Sequence, residues 1–333
     1  MEDAVHRTLT NLQSGHLWMA NNGKVDASTS GDMETQVLLA HLPFVFRPRA
    51  EQVLVIGLGS GITAGSVTLH GFPKGIDIVE LEPAVVAASH LFDDYNHRPL
   101  EDDRVRLVAN DARNQLMLTP DGTYDLVTSE PSNPWISGVS NLFTREFFDL
   151  GKRKLRPGGV WAQWLHLYGM GPEDLRSLLA TFAATYRHVQ LFHVHLGDLV
   201  LIGSDAPLVL RTSAINEMVR DNPRVSENLV SIRLQRAEEI VARYLLNRDD
   251  ILCFAGGAAL NTDDNMRIEY AAPLNIYART RAANVELLGR HARLPLWALS
   301  GEAGKRRLAR IYERRGDGRA RLLEANDRMS EAE

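Results

Sequence analysis

The chain of 333 residues has a single cysteine, Cys253. An internal disulfide and a cysteine-rich zinc site are therefore excluded, and a reducing compartment suits it. No apolar run approaches the ~20 residues that span a bilayer. The first residues, Met1-Glu-Asp-Ala-Val-His6, lack the basic-then-apolar pattern of a signal peptide. The sequence thus predicts a soluble cytoplasmic protein, or a soluble piece of a longer one, with no membrane segment. No excess of positive charge exists either, since the formal net charge is −5. From Arg279 onward 13 Lys or Arg stand against 8 Asp or Glu, a net of +5, which leaves −10 for the remainder. An acidic body argues against nucleic acid and for cationic ligands, although solubility alone also accounts for it. With 44% hydrophobic residues the chain can bury one large core.

What is present is organised around Val53-Leu-Val-Ile-Gly57-Leu-Gly59-Ser-Gly61-Ile-Thr-Ala-Gly65. An apolar run, a glycine cluster and a small-residue segment read as a buried parallel strand, a tight turn and a helix start. The glycines at 57, 59 and 61 let the backbone turn sharply and let a ligand approach main-chain N–H groups. About 20 residues on, Gly75-Ile-Asp-Ile-Val-Glu80 is a second strand that ends in an acid, placed to hold the hydroxyls of a ribose. Two further strands end in acids: Arg104–Ala109 runs into Asn110-Asp111-Ala112, and Tyr124–Ser129 into Glu130-Pro-Ser-Asn-Pro134-Trp135. Each acid alone reads best as a solvated loop residue. Together, beside the glycine turn, they suggest Glu80 on a ribose, Asp111 on an adenine amino group and Glu130 left for chemistry.

Strand and helix signals alternate from about residue 51, which predicts an α/β fold with a mainly parallel sheet covered on both faces. Helices are expected over Ala84–Phe92, from Asn141 and over Glu173–Tyr186. Leu155–Gly159 reads as a turn, Val160–Trp164 as a strand, and Val189–His195 and Leu199–Gly203 as two more, joined at Gly197-Asp198. Ahead of this core, Leu17–Ala20, the Asn-Gly23 turn signal and Val25–Thr29 predict a hairpin. Asp32–Pro43 reads as a helix stopped by its proline, and Phe44–Ala50 as a linker. The domains expected are a hairpin and lid segment over 1–50, a nucleoside-binding catalytic domain over 51–278 and a basic helical extension over 279–333. Asn284–Leu288 and Arg306–Tyr312 have helical spacing, and Met329–Glu333 reads as disordered.

These motifs resemble the spermidine synthase family of polyamine aminopropyltransferases, over roughly Leu17 to Pro273. The chain is closest to bacterial spermidine synthase-like proteins of the type fused to transporter-like domains. Asn-Gly23-Lys with the Asp32…Gln36 helix resembles the hairpin and the segment that closes over the donor. Gly57-Leu-Gly59-Ser60-Gly61 resembles the nucleotide turn, Val79-Glu80-Leu-Glu82 the ribose strand, and Asn110-Asp111-Ala112 the adenine loop. Glu130-Pro-Ser-Asn133-Pro resembles the loop with the catalytic acid, Asn141-Leu-Phe143 the segment after it, and Asn261-Thr-Asp263 a late motif near the acceptor. The resemblance implies a Rossmann-like, S-adenosylmethionine-dependent methyltransferase fold. It implies a transferase using decarboxylated S-adenosylmethionine, or S-adenosylmethionine itself, and no metal. An amine, with polyamines among the candidates, would attack the methylene beside the sulfonium and release methylthioadenosine.

Departures from the family pattern cluster on the amine side. Ser60 stands where an Asp grips the donor's aminopropyl amine, Glu130 where the catalytic acid is an Asp, and Asn133 where a second acid is usual. Thr35 replaces a tyrosine beside the retained Gln36, and Ala259-Leu260 replaces a late tyrosine. Methyl transfer on the same core, and a non-catalytic nucleoside-binding module, therefore stay open as alternatives. Trp135, Gln163 and Asp263 are further candidates for the substrate side, each with a bland reading as core, strand or turn residue. His193 and His195 share a strand face but lack an evident third metal ligand, and read as structural. A homodimer is a further candidate assembly.

Overall fold

The computed structural model describes residues 8–13, 16–21, 24–136, 138–275, 278–321 and 323. The Asn22-Gly23 turn and residues 329–333, read above as a hairpin signal and a disordered end, lie outside them. The chain opens with a three-stranded antiparallel sheet, β1 (Thr8–Gln13), β2 (His16–Asn21) and β3 (Lys24–Ser28), in the order 1-2-3. The sequence reading anticipated β2 and β3 but not β1, whose short, largely polar alternation is a weak period-2 signal.

Helix α1 (Met33–Phe46) carries Pro43 inside its last turn, and Phe44 to Phe46 are helical rather than a linker. Every residue from Thr35 to Val45 is buried. That much packing outweighs the one backbone hydrogen bond that proline forfeits near a helix end, so the proline does not stop the helix.

The core then alternates as the pattern requires: β4 (Gln52–Ile56), α2 (Ile62–Thr68), β5 (Gly75–Glu80), α3 (Pro83–Ser89), β6 (Val105–Ala109), α4 (Ala112–Leu118), β7 (Tyr124–Ser129), α5 (Arg145–Lys154), β8 (Leu155–His166), α6 (Pro172–Thr185), β9 (His188–His195) and β10 (Asp198–Ser204). The expected turn at Leu155–Gly159 is the first part of β8, where a register shift against β7 absorbs the glycines. Residues 140–143 form a single 3-10 turn before α5, so the expected helix starts at Arg145. After β10 come α7 (Thr212–Asp221), α8 (Pro223–Ser231), α9 (Ala237–Val241), β11 (Tyr244–Asn247), α10 (Arg248–Ala255), α11 (Arg267–Ala271), α12 (Thr280–Gly289) and α13 (Gly301–Arg315).

Eight strands form the main sheet in the order β11-β9-β10-β8-β7-β4-β5-β6. The five from β8 to β6 are parallel, and β10, β9 and β11 join antiparallel at one end. Successive side chains of the central strands feed opposite cores. Val53 and Val55 pack with α1, α2 and α7 to α9, while Leu54 and Ile56 pack with α4 to α6, α10 and α12. The parallel strands therefore all deliver their carboxyl ends to one edge, where a ligand meets an open α/β sheet.

A buried relay bolts α1 to α2 and α8. His41 Nδ1 lies 2.9 Å from His70 Nε2, and His41 Nε2 lies 2.8 Å from Asn228 Oδ1. Asn228 Nδ2 in turn donates to His97 Nε2 at 3.1 Å. With Asn228 so oriented, His41 carries its proton on Nε2, so its Nδ1 accepts from a His70 protonated on Nε2. Phe44 stacks on His70 at 3.6 Å, and Arg104 and Arg224 are the cations nearby. Burial, first of all, lowers all three histidines, His41 to about 4. The unfolded chain therefore binds protons that the folded chain refuses, so the relay stabilises fully above pH ~6.5 and loses its contribution as pH falls toward ~4. Buried carboxyls with raised pKa titrate with the opposite sign, so the test is a difference. Between pH 7 and pH 5 the parent should lose about 1–2 kcal/mol more unfolding free energy than His41→Gln, measured by urea titration. Equal losses in parent and variant would show that His41 does not fold as a neutral ring.

Candidate active site

The carboxyl ends of β4, β5 and β7 meet at the glycine turn. Gly57, Gly59 and Gly61 have φ of 87°, 51° and 81°, conformations that side-chain-bearing residues resist. At Gly57 space is decisive as well: a Cβ there would lie 2.6 Å from the main-chain oxygen of Glu130. Gly57 N donates to Val79 O, and Glu130 N to Ile56 O, each at 2.9 Å, so the turn is knitted to both neighbouring strands.

Glu80 sits half-buried at the end of β5. Its two carboxylate oxygens accept from Leu58 N and Glu82 N, both at 2.9 Å. Those bonds hold the carboxylate beside the turn and leave its remaining lone pairs for a diol. Asp111 caps α4, accepting from Asn114 N at 2.9 Å, and buried Ala112 follows it at the first helical position. The three strand-end acids thus line one edge of the sheet.

Ser60 is buried, and its hydroxyl donates to Gln36 Oε1 at 2.5 Å. Gln36, also buried, donates from Nε2 to Ser28 O at 3.1 Å. A neutral pair therefore closes the glycine turn against α1 and β3, and it offers a ligand no negative charge.

Charge concentrates instead around Glu130. This residue keeps some accessible surface but lies deep among protein atoms. Burial, reinforced by Asp198 and Asp32, pushes its pKa up to about 8, while the Thr63 hydroxyl, 2.5 Å from Oε2, pulls the other way. Asp198, buried at the β9–β10 turn, accepts from Thr35 Oγ1 at 2.9 Å and Trp164 Nε1 at 3.2 Å. Burial raises the pKa of Asp198 and of Asp32, and Asp198 raises that of Asp32 further. Asp26 of β3 accepts from Ser132 Oγ at 3.1 Å, tying the small sheet to the Glu130 loop, and pairs with Lys24 at 2.6 Å.

An aromatic wall faces this group. Trp135 meets His166 edge-on at 4.3 Å, and His166 stacks on Tyr168 at 4.5 Å. His166 is fully buried and also meets the Tyr168 backbone. The buried Asn133 amide lies against the Tyr168 hydroxyl. Burial lowers the pKa of His166 and raises that of Tyr168, so both are neutral at pH 7. A group of several acids beside neutral aromatics is chemically matched to a cation.

Two further candidates have their polar groups engaged within the protein. The Gln163 amide is buried and occupied, accepting from Trp161 Nε1 and donating to Trp164 O, both at 3.1 Å. Asp263 grips the Arg113 guanidinium with both oxygens at the start of α4, on the Asp111 side. His195 Nδ1 bonds Glu34 Oε2 at 2.9 Å, while His193 is lowered to about 4 by burial. Among the described residues no group of three His, Cys, Asp or Glu is placed to hold a metal. The sequence reading missed Asp198, Asp32, Thr63, Tyr168 and His166 as site residues. Asp198 had looked like a turn residue and Asp32 like a helix start; only Thr63, next to the glycine turn, carried a local signal.

Residues 33–190 match the spermine/spermidine synthase domain. Spermidine synthase 1 of Datura stramonium is 34% identical over 152 residues, covering 44% of this chain and 49% of that one. Putrescine N-methyltransferase 1 of Nicotiana tabacum is 32% identical over 234 residues, covering 68% of this chain and 62% of that one. The chain thus spans about half to three-fifths of the length of these curated relatives. The crystal structure of spermidine synthase from Thermotoga maritima superposes with a TM-score of 0.56 at 18% identity, over 69% of this chain and 77% of that one, and so shares the fold. No helix among the described residues is long and apolar enough to cross a membrane. Through residues 33–190, a little under half of its length, the chain is similar to the spermine/spermidine synthase domain.

Proposed function

We propose that the chain is a spermidine synthase-like transferase of polyamine metabolism. It moves an aminopropyl-type group from an adenosyl-sulfonium donor to an amine and releases methylthioadenosine. The division of labour is a nucleoside-binding catalytic part over residues 51–278, roofed by 1–50. Glu80 takes the ribose hydroxyls, Asp111 and Ala112 the adenine, and the turn of Gly57, Gly59 and Gly61 lets the nucleoside approach the main chain. The donor is decarboxylated S-adenosylmethionine, or S-adenosylmethionine itself. The acceptor lies between Glu130, Asn133 and Trp135, with Asp32 and Asp198 beyond.

The observation that carries this reading is Glu130, a carboxyl pushed up to about 8 by burial and by Asp198 and Asp32, bonded to Thr63 just after the glycine turn. A sulfonium is its own activated leaving group. The amine nitrogen bonds to the methylene carbon as the carbon–sulfur bond breaks, and the electron pair leaves with sulfur as a neutral thioether. The protein's tasks are to align the two reactants and to take the proton that the amine sheds. Thr63 suits Glu130 to both states. Its hydroxyl lies 2.5 Å from Glu130 Oε2 and 3.2 Å from Gln36 O. It donates to the carboxylate when Glu130 is charged. When Glu130 holds the proton, Thr63 accepts from it and donates to the Gln36 carbonyl. Arrival of a cationic amine favours the charged form of Glu130 and readies it as the base.

A second reading, methyl transfer to an amine, is favoured by one feature. The Ser60 hydroxyl is spent on Gln36, so no acid marks the donor's tail as an amine without its carboxylate. Both reactions would use the same nucleoside contacts and the same base.

The deciding assay incubates the protein with each donor and a panel of mono-, di- and triamines. Release of methylthioadenosine is expected; release of adenosylhomocysteine would replace the first reading with the second, and neither product would leave only a binding module. Glu130→Gln should keep methylthioadenosine affinity and lose about 10²–10⁴ in turnover, the usual contribution of a positioned acid or base. The deficit should shrink as pH approaches the acceptor's own pKa, because solvent then supplies the neutral amine; parental activity across that range would end the base assignment. Glu80→Gln should raise the dissociation constant of methylthioadenosine by about tenfold or more, in line with about 1.5–3 kcal/mol for a charge-assisted bond. Calorimetry giving parental affinity in a folded variant would remove Glu80 from the ribose.

A further inference from the structure

The basic segment after residue 278 lies outside the matched domain, yet it reaches the wall of the candidate acceptor pocket from behind. Asn284 of α12 is fully buried. Its Nδ2 donates to Leu167 O at 2.9 Å and to Met170 O at 3.1 Å. Those two carbonyls bracket Tyr168 and Gly169, the residues that follow β8 at the aromatic wall. Gly169 has φ of 62°, and a Cβ there would lie 2.9 Å from the Trp135 ring. Leu167 N donates to Gly197 O at 2.7 Å, so the same segment also fixes the turn that holds Asp198. Leu288, one turn on from Asn284, packs in the same core as Leu167 and Met170.

A second clamp acts on the opposite flank. Arg319, buried, donates to the carbonyls of Ala242 and Tyr244 and lies over the Tyr312 ring at 4.4 Å. Between those carbonyls sits Arg243, whose guanidinium donates to Val194 O at 3.0 Å and pairs with Glu34. Glu34 also accepts from His195 if that ring donates, and it immediately precedes Thr35 and Gln36 on α1. Asn284 thus holds the aromatic wall, and Arg319 steadies the strand whose neighbour Arg243 holds the start of α1.

We infer that the segment after residue 278 is a built-in buttress of the acceptor pocket, with Asn284 as a positioning residue for Trp135, Tyr168 and Asp198. It rests on the transferase reading for its effect on turnover but not for its structural content. The mechanism is geometric. One amide donates two hydrogen bonds to the four-residue segment Leu167–Met170, which touches both the Glu130 loop and the β9–β10 turn. Loosening that loop leaves Glu80, Asp111 and the glycine turn untouched, since none of them contacts Asn284. The acceptor side alone should suffer.

The test compares Asn284→Ala, Asn284→Ser (which keeps one donor) and Arg310→Ala, an exposed control on α13, with the parent. In Asn284→Ala, backbone amide exchange should accelerate at residues 167–171 but not in β4, β5 or β7. The KM for the amine should rise by about tenfold while methylthioadenosine affinity stays within about twofold, as misplacement of a positioning contact predicts. Asn284→Ser should fall between, and Arg310→Ala should match the parent. Exchange at 167–171 that equals the parent's would overturn the buttress, as would faster exchange with an unchanged amine KM. A parent with no amine turnover would sink the transferase reading and leave the exchange comparison to decide the buttress.

Discussion

A missing side chain at Gly57 is the constraint on which the site depends. The turn after β4 lies against the main chain of Glu130, and a Cβ at Gly57 would approach that carbonyl oxygen to 2.6 Å. Because the two backbones can touch, the carboxyl ends of neighbouring strands β4 and β7 stay level. Glu80, held by Leu58 N of the same turn, is drawn in from β5 on the other side. One close approach thus sets the proposed nucleoside cradle beside a candidate base. Larger residues at Gly57 would separate the two halves before they disturbed either core.

The second organising feature is the group of buried acids around Glu130. Burial raises the pKa of all three acids, Asp198 and Asp32 raise that of Glu130 further, Asp198 also raises that of Asp32, and His195 and Lys24 offset Asp32 and Asp198. Burying carboxyls this way costs stability unless donors or a cation answer them. Thr63, Thr35 and Trp164 supply donors, and the proposed amine supplies the rest. The acids that the family pattern places at 60 and 133 are a serine and an asparagine here. Negative charge enters instead from Asp32, ahead of α1, and from Asp198, at a hairpin on the antiparallel side of the sheet.

Packing also overrode local preference in several places. Pro43 stays within α1 because eleven consecutive residues, Thr35 to Val45, are buried around it. The Leu155–Gly159 stretch, rich in turn residues, extends a strand because β7 beside it pairs from Tyr124 onward. The C-terminal basic segment has an exposed arginine face, yet its inward residues Asn284, Leu288, Tyr312 and Arg319 are buried against the sheet end and the loop after β8.

The sequence by itself determined the alternation of strands and helices, the glycine turn and the acids at 80, 111 and 130, because each is written in contiguous residues with a period of its own. A buried parallel strand shows as an apolar run, and an acid at its end is a neighbour in sequence as well as in space. Only the tertiary structure decided what surrounds Glu130. Asp198 lies 68 positions after Glu130, and Asp32 lies 98 before it. Neither differs locally from a turn acid or a helix-start acid. The same holds for Thr63 beside Glu130, His166 stacked on Tyr168 and Asn284 behind the wall. Their roles come from side chains meeting across the sheet and its flanking helices, and the register of those meetings is set by the packing of the two cores, which no single stretch of the chain records.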